Sequence, residues 1–175
     1  MLKNIAVLVA MAVVVVLGLA VMRPDTFQVE RTTTIKAPPE AVFASIQDFH
    51  RWSAWSPWEK KDPAMKRTHG GAARGKGAIY GWEGNGDVGT GSMEIVEATA
   101  PSHVTIRLDF TKPFEAHNVA EFTMTPTGEG TRVSWLMRGP SPFLAKVMNV
   151  FVDMDHMVGA DFEAGLANLK AAAEG

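Results

Sequence analysis

The spacing of apolar residues changes once along the chain, and this change constrains the fold more than any other feature. Apolar and polar residues alternate over positions 102–111, so that one face carries Val104, Ile106, Leu108 and Phe110. From Pro142 the spacing is helical, and one face carries Phe143, Val147, Phe151, Met154, Val158, Phe162, Gly165 and Leu169. The pattern predicts an antiparallel sheet with one buried face, followed by one amphipathic helix of about 30 residues.

The remaining segments predict more strands and two short helices. A first strand at 27–35 stops at Pro38-Pro39, where a short helix begins, and a second short turn or helix passes through Phe49 and Trp52. The polar, glycine-rich stretch up to Gly77 is predicted as a loop. Further strands are expected at 77–83, 91–98, 116–125 and 131–138. Strands grouped ahead of one long helix indicate an α+β fold in which a curved sheet wraps that helix.

Residues 1–22 form a separate unit. Positions 5–22 are an unbroken apolar run, and a helix of this length reaches about 27 Å, close to the roughly 30 Å hydrocarbon core of a bilayer. We interpret the run as an uncleaved transmembrane anchor. A signal peptide cleaved near Ala20 and a buried helix of a soluble protein are the alternatives. Residues 23–26 are then a junction, and residues 27–173 are the domain.

The charges that flank the apolar run weakly indicate an orientation. Lys3 precedes the run, and Arg23 follows it with Asp25 close by. Cytoplasmic flanks are enriched in basic residues, which slightly favours a cytoplasmic N-terminus. The expected arrangement is a single-pass membrane protein whose domain lies on the non-cytoplasmic side.

Composition excludes several classes of function. The chain has 175 residues, the length of one domain plus an appendage, and its net charge of −2 gives no basic excess for nucleic acid. It has no cysteine, which excludes disulfides and thiolate metal sites. No metal-ligand spacing is found among His50, His69, His103, His117 and His156. We expect no metal and no cofactor.

Four stretches of the sequence resemble a known superfamily. They are residues 35–43 (IKAPPEAVF), 52–58 (WSAWSPW), 80–85 together with 88–93 (YGWEGN and VGTGSM), and 154–170 (MDHMVGADFEAGLANLK). Together they resemble the START-related, polyketide cyclase/dehydrase-like (SRPBCC) superfamily, which has the helix-grip fold. The resemblance implies an elongated apolar cavity between the sheet and the long helix. It does not choose a function, because the superfamily includes lipid carriers, quinone-binding proteins, cyclases and chaperone-binding domains.

The candidate ligand-contacting residues are those expected to face this cavity. Tyr80, the only tyrosine, shares a strand face with Trp82, and its hydroxyl would orient a ligand or act as an acid. The other candidates are Met93, Ile95, Leu108, Phe110, Phe122, Met124, Trp135 and Met137 on the sheet and Met154, Met157, Val158 and Phe162 on the helix. Ordinary core packing explains the same pattern, although soft methionine side chains suit a wall that adapts to apolar ligands.

Other conspicuous residues carry weaker functional interpretations. Trp52, Trp55 and Trp58 would gate the cavity or rest at a membrane interface, or they pack the short helices onto the sheet. Asp155 and Asp161 are expected to pair with arginine or backbone donors rather than with a metal. No Ser/His/Asp arrangement has a recognisable context, so no catalytic residue is predicted.

The leading functional hypothesis is a membrane-tethered domain that binds an apolar small molecule such as a lipid, an isoprenoid or a polyketide-like compound. Two alternatives remain. One is a cyclase or dehydratase that uses the same cavity, with Tyr80 or a buried carboxylate as acid–base group. The other is a protein-interaction module of the chaperone-binding type, which predicts a filled interior and an exposed apolar patch.

Overall fold

A computed structural model describes residues 2–175. Helix α1 (Leu2–Val21) leads to strand β1 (Thr26–Ile35), helix α2 (Pro39–Ile46), a 3₁₀-helix (Phe49–Ala54) and helix α3 (Trp58–Lys61). The next six elements are strands β2 (Lys66–Gly71), β3 (Ala78–Glu83), β4 (Thr90–Thr99), β5 (His103–Lys112), β6 (Ala116–Thr127) and β7 (Gly130–Pro140). Helices α4 (Phe143–Met148) and α5 (Met154–Glu174) end the chain. The predicted α+β class is confirmed.

The strands form one antiparallel sheet in the order β1-β7-β6-β5-β4-β3-β2. Strands β2 to β6 each pair with the next strand in the chain, and β7 also pairs with β1. In the centre of the sheet Val104 lies opposite Phe122 and Ile106 opposite Ala120, and all four are buried. Leu108, further along β5, is only partly buried. One face of the sheet therefore packs against the core, and the side chains on this face are less buried toward the end of β5.

Strand β2 corrects the prediction of a loop up to Gly77. Residues Lys66–Gly71 pair with β3 but have no partner on their other side, because β2 is the edge of the sheet. Most of their side chains are exposed. An edge strand that buries neither face needs no apolar alternation, so the sequence carries no strand signal there.

The predicted long C-terminal helix is confirmed, but α5 has 21 residues rather than about 30, because the chain forms the separate helix α4 before it. Asp153 has an extended backbone and caps α5 by accepting a hydrogen bond from the amide of His156 at 3.1 Å. The β-branched residues Val150 and Val152 lie in the break and form helix poorly. The two helices also have different partners, since α4 packs against α1 and α5 packs against β1.

Helix α5 lies across the sheet and is held closely at one glycine. Phe162, Leu166 and Leu169 are buried, and the ring of Phe162 stacks on Trp135 with centroids 4.1 Å apart. A Cβ on Gly165 would lie 2.8 Å from Cζ3 of Trp135, inside normal contact distance. The close approach of the helix to the sheet therefore requires glycine at this position.

Most of helix α1 lies outside the domain core, and the helix contacts the domain through α4. It is long and apolar enough to cross a membrane, and nearly all its side chains are exposed. A buried helix of a soluble protein would have its apolar surface covered, so that interpretation does not fit. Length and composition are compatible with both an anchor and a signal sequence. Its end touches the domain, where Ala20 is fully buried.

Gly165→Ala is expected to destabilise the domain. The new methyl group would meet Trp135 at 2.8 Å and Cδ of Pro57 at 3.1 Å, so the helix or the indole has to shift. Overpacking costs about 1–3 kcal/mol, against a gain of about 1 kcal/mol from alanine's helix propensity. A urea titration followed by tryptophan fluorescence should give a net loss of up to about 2 kcal/mol in the free energy of unfolding. Gly128→Ala, which has open space around the new atom, should show no such loss. Equal losses in both variants would contradict the steric explanation.

Candidate ligand-binding cavity

A cavity of about 330 Å³ lies between the inner face of the sheet and the first turns of α5. Strands β3 to β7 contribute Tyr80, Trp82, Met93, Ile106, Leu108, Phe110, Ala120, Trp135 and Met137. Helix α5 contributes Met157, Val158, Asp161 and Phe162. The segment before β2 supplies Trp52, Ser56, Trp58, Glu59, Lys61 and Met65, and the β3–β4 loop supplies Asp87 and Val88. Most of this wall is aliphatic, thioether or aromatic.

Trp82 is a fixed part of the wall. Its Nε1 donates a hydrogen bond to the carbonyl of Val88 at 3.1 Å. Gly91 lies opposite Trp82 on β4, and a Cβ there would approach the indole to 2.7 Å. Phe110 packs edge-on against the same indole with centroids 5.4 Å apart. The glycine therefore leaves room for the indole, and the hydrogen bond to the carbonyl fixes its position.

A second group of rings forms the wall beneath α5. Trp135 stacks on Phe162, and Trp58 packs edge-on against these rings with centroid distances of 5.7 Å and 6.3 Å. Trp52 donates its Nε1 hydrogen to the carbonyl of Ile46 at 2.9 Å. Trp55 is 1% exposed and lies in the core rather than in the cavity wall. The three tryptophans therefore pack the short helices onto the sheet, and two of them also line the cavity.

The cavity has one buried ionic group. Glu59, whose side chain is 10% exposed, accepts hydrogen bonds from the Tyr80 hydroxyl at 2.9 Å and from Nε of Arg67 at 2.7 Å. Burial and the Glu59 carboxylate raise the pKa of Tyr80 well above its ordinary value. Hydrogen bonding to Glu59 also raises the pKa of Arg67. The phenol stays protonated at neutral pH and acts as a donor that fixes the carboxylate.

A second ion pair lies where the cavity wall becomes exposed. Nζ of Lys61 is 2.7 Å from Oδ2 of Asp161, and both residues line the cavity. Asp155 lies outside it and pairs with Arg31 at 3.0 Å, which lowers the pKa of that carboxyl group. The expected arginine partner is thus confirmed for Asp155, whereas Asp161 has a lysine partner. Within residues 2–175 no group of three or more histidine or carboxylate side chains is arranged to hold a metal ion.

A family comparison fits this architecture. The sequence profile of the family described as "Polyketide cyclase / dehydrase and lipid transport" matches residues 26–174. The chain belongs to this family. The match begins at the start of β1 and ends at the last residue of α5, so α1 lies outside the family's domain. The predicted superfamily is confirmed.

Solved structures share the family fold at low sequence identity. The KanY protein superposes with a TM-score of 0.64 at 18% identity, over 86% of this chain and 99% of KanY. Protein CV1439 from Chromobacterium violaceum gives 0.60 at 15% identity, over 87% and 99%. The di-domain aromatase/cyclase StfQ of the steffimycin biosynthetic pathway gives 0.63 at 12% identity, over 85% of this chain and 51% of StfQ. Identities this low establish the fold alone. A comparison with curated proteins found no match.

Ten of the fourteen predicted ligand-contacting residues come together in the cavity wall of this family member. They are Tyr80, Trp82, Met93, Leu108, Phe110, Trp135, Met137, Met157, Val158 and Phe162. Ile95, Phe122 and Met124 are buried in the packed core instead, where α2 and the 3₁₀-helix cover the sheet. Met154 faces a different cleft, beside the junction after α1. Strand alternation identifies the inner face of the sheet but not which part of that face is covered.

The polar part of the wall was not predicted from the sequence. Glu59 and Lys61 lie in a helix of four residues, too short to show a periodic pattern. Asp87 and Val88 are in a loop, where no spacing rule applies. Ile106 and Ala120 follow the alternation of β5 and β6, and these two could have been found from the sequence.

The phenol of Tyr80 is expected to titrate above pH 10, the ordinary value for tyrosine. Because it is the only tyrosine, absorbance near 295 nm reports it without interference from another phenol. Its folded pKa exceeds its unfolded pKa, so its contribution to stability is complete below pH 10 and is lost as the pH rises. Glu59→Gln should lower the pKa of Tyr80, although burial still keeps it raised. A titration at pH 10 in the unchanged protein would contradict this geometry.

Proposed function

We propose that this family member is a membrane-tethered domain that binds an apolar small molecule in the cavity between the sheet and α5. The ligand class is a lipid, an isoprenoid or a polyketide-like compound. The observation that carries the proposal is the composition of the wall, in which rigid indoles and flexible methionines surround one buried carboxylate. Such a site gains affinity from desolvation and uses its polar group for orientation.

The size of the cavity limits the ligand. Its volume of about 330 Å³ lies at the lower end of the range for ligand pockets, about 300–1,000 Å³. Burying roughly 300 Å² of apolar ligand surface contributes about 7 kcal/mol before ordering costs. A single chain or a compact ring system fits these values better than a whole two-chain phospholipid.

Glu59 supports a ligand with a hydrogen-bond donor at one end. Tyr80 donates a hydrogen bond to one oxygen of the Glu59 carboxylate, and Arg67 donates one to the other. These bonds hold the carboxylate in place and leave further lone pairs free on both oxygens. A ligand hydroxyl reaching Glu59 would form a charge-assisted hydrogen bond. The proposed ligand therefore has an apolar body and a hydroxyl or similar donor.

Filling the cavity tests this proposal. Ala120 lies on β6 and lines the cavity, so Ala120→Phe should place a ring inside it. Thr123→Phe on the exposed face of the same strand is the matched control. The full-length chain in phosphatidylcholine nanodiscs is titrated with 11-(dansylamino)undecan-1-ol, which has an apolar body and a terminal hydroxyl. Energy transfer from the five tryptophans reports binding. We expect at least a tenfold weaker affinity for Ala120→Phe and no change for Thr123→Phe. Equal affinities would refute binding in this cavity.

A cyclase or dehydratase activity is the second candidate, because the wall contains Glu59 and Tyr80 as acid–base groups. The raised pKa of Tyr80 weakens it as an acid near neutral pH. If a turnover assay with an aromatic polyketide substrate detects activity, Tyr80→Phe should reduce kcat by about 100-fold or more. Unchanged turnover would remove Tyr80 from the mechanism.

The cavity also fits poorly with the filled interior expected of a protein-interaction module.

A further inference from the structure

The exposed apolar side chains of the domain are gathered beside the end of α1. Six of them, in and after α4, form what we name the apolar rim: Phe143, Leu144, Met148, Phe151, Val152 and Met157. Leu144 is 63% exposed and Phe151 is 73% exposed. Exposed large apolar side chains that are concentrated in one segment, between residues 143 and 157, indicate an interaction surface rather than ordinary scatter.

Helix α4 has the opposite polarity to a helix on a soluble surface. Its one charged residue, Lys146, is buried and donates a hydrogen bond to Asp25, while the apolar side chains Phe143, Leu144 and Met148 face outward. A helix whose charge turns inward and whose exposed face is apolar suits an apolar environment. Two exposed carboxylates nearby are already bonded: Asp25, whose side chain is 95% exposed, pairs with Lys146, and Asp153 caps α5.

The register of the sheet places this surface at one end of the molecule. β1 begins opposite the end of β7, with Thr26 paired to Pro140, and the same end carries the β5–β6 loop. Phe114 in that loop is 63% exposed. Among the described residues outside α1, Met22 and the apolar rim, the exposed large apolar side chains are Phe114 and Ile79. The opposite end carries the polar β6–β7 turn around Glu129.

We propose that the apolar rim docks into the interfacial region of the lipid bilayer that α1 spans. This inference rests on the proposed membrane tether. A bilayer is favoured over a protein partner because α4 packs on the end of α1, where Ala20 is buried, so the rim lies at the depth at which the span leaves the hydrocarbon. Aromatic side chains are favoured at that depth.

Docking would also bring the cavity to the membrane. Met157 belongs to the rim and to the cavity wall, and it is 51% exposed. The β3–β4 loop, with Asp87 and Val88, lies at the same end of the sheet and borders the cavity too. A ligand dissolved in the bilayer could then enter beside Met157 without crossing bulk water.

Spin labels on the full-length chain test the rim directly. The natural chain has no cysteine, so each introduced cysteine carries the only label. Leu144→Cys and Phe151→Cys probe the rim, Val14→Cys probes α1, and Glu129→Cys in the far turn is the water-exposed control. Each variant is placed as one copy per phosphatidylcholine nanodisc, and intact mass confirms that α1 is retained. Collisions of the nitroxide with oxygen and with a water-soluble nickel chelate are then compared.

The ratio of oxygen collisions to chelate collisions should be high at position 14 and low at position 129. Positions 144 and 151 should give ratios between these two values. If positions 144 and 151 match position 129 while position 14 stays in lipid, the rim proposal is refuted and the tether stands. If position 14 also reports water, the tether fails and the rim proposal fails with it. If positions 144 and 151 are shielded from the chelate only when a disc holds two copies of the chain, the surface serves self-association and the docking proposal is refuted. The dansyl titration of Ala120→Phe is read separately, so loss of the rim proposal leaves the cavity proposal testable.

Discussion

The contact between α5 and Trp135 organises the whole domain. Phe162 stacks on the indole, and Gly165 lets the helix backbone approach the same ring. The buried side chains of Leu166 and Leu169 pack the second half of the helix against the core. No residue of α5 before Gly159 is buried, so the first turn of the helix packs less closely on the sheet. The cavity exists where the sheet is covered by the loosely packed beginning of α5.

The sequence was informative wherever one periodic pattern decided burial. The alternation of Val104, Ile106 and Leu108 is sufficient to predict β5 and its inner face. The helical spacing through Phe162 and Leu169 similarly predicts α5. The quoted motifs extend this to the family fold, since they lie in α2, in the segment before β2, in β3 and β4, and in α5.

Other features depend on contacts that no local pattern encodes. β2 is held by backbone hydrogen bonds to one neighbour, and its side chains bury little surface. The break at 149–153 depends on an N-cap and on the separate packing of α4 and α5, which apolar spacing alone cannot detect. Glu59, Arg67 and Tyr80 come from a helix and two strands, and only the folded chain brings them together.

The connection between α1 and the domain has a consequence for how the protein would work in a membrane. Asp25, three residues after the last exposed residue of the apolar run, is bonded through its side chain to Lys146 and through its carbonyl to the amide of Ser141. A flexible linker would let the domain sweep a wide volume above the lipid surface. Here the junction is bonded to the domain at two points. Under the proposed tether, the domain would keep one orientation to the membrane and would meet only the ligands directly beneath it. Ligand would then arrive at the cavity by its own lateral diffusion in the membrane, rather than because the domain moves to it.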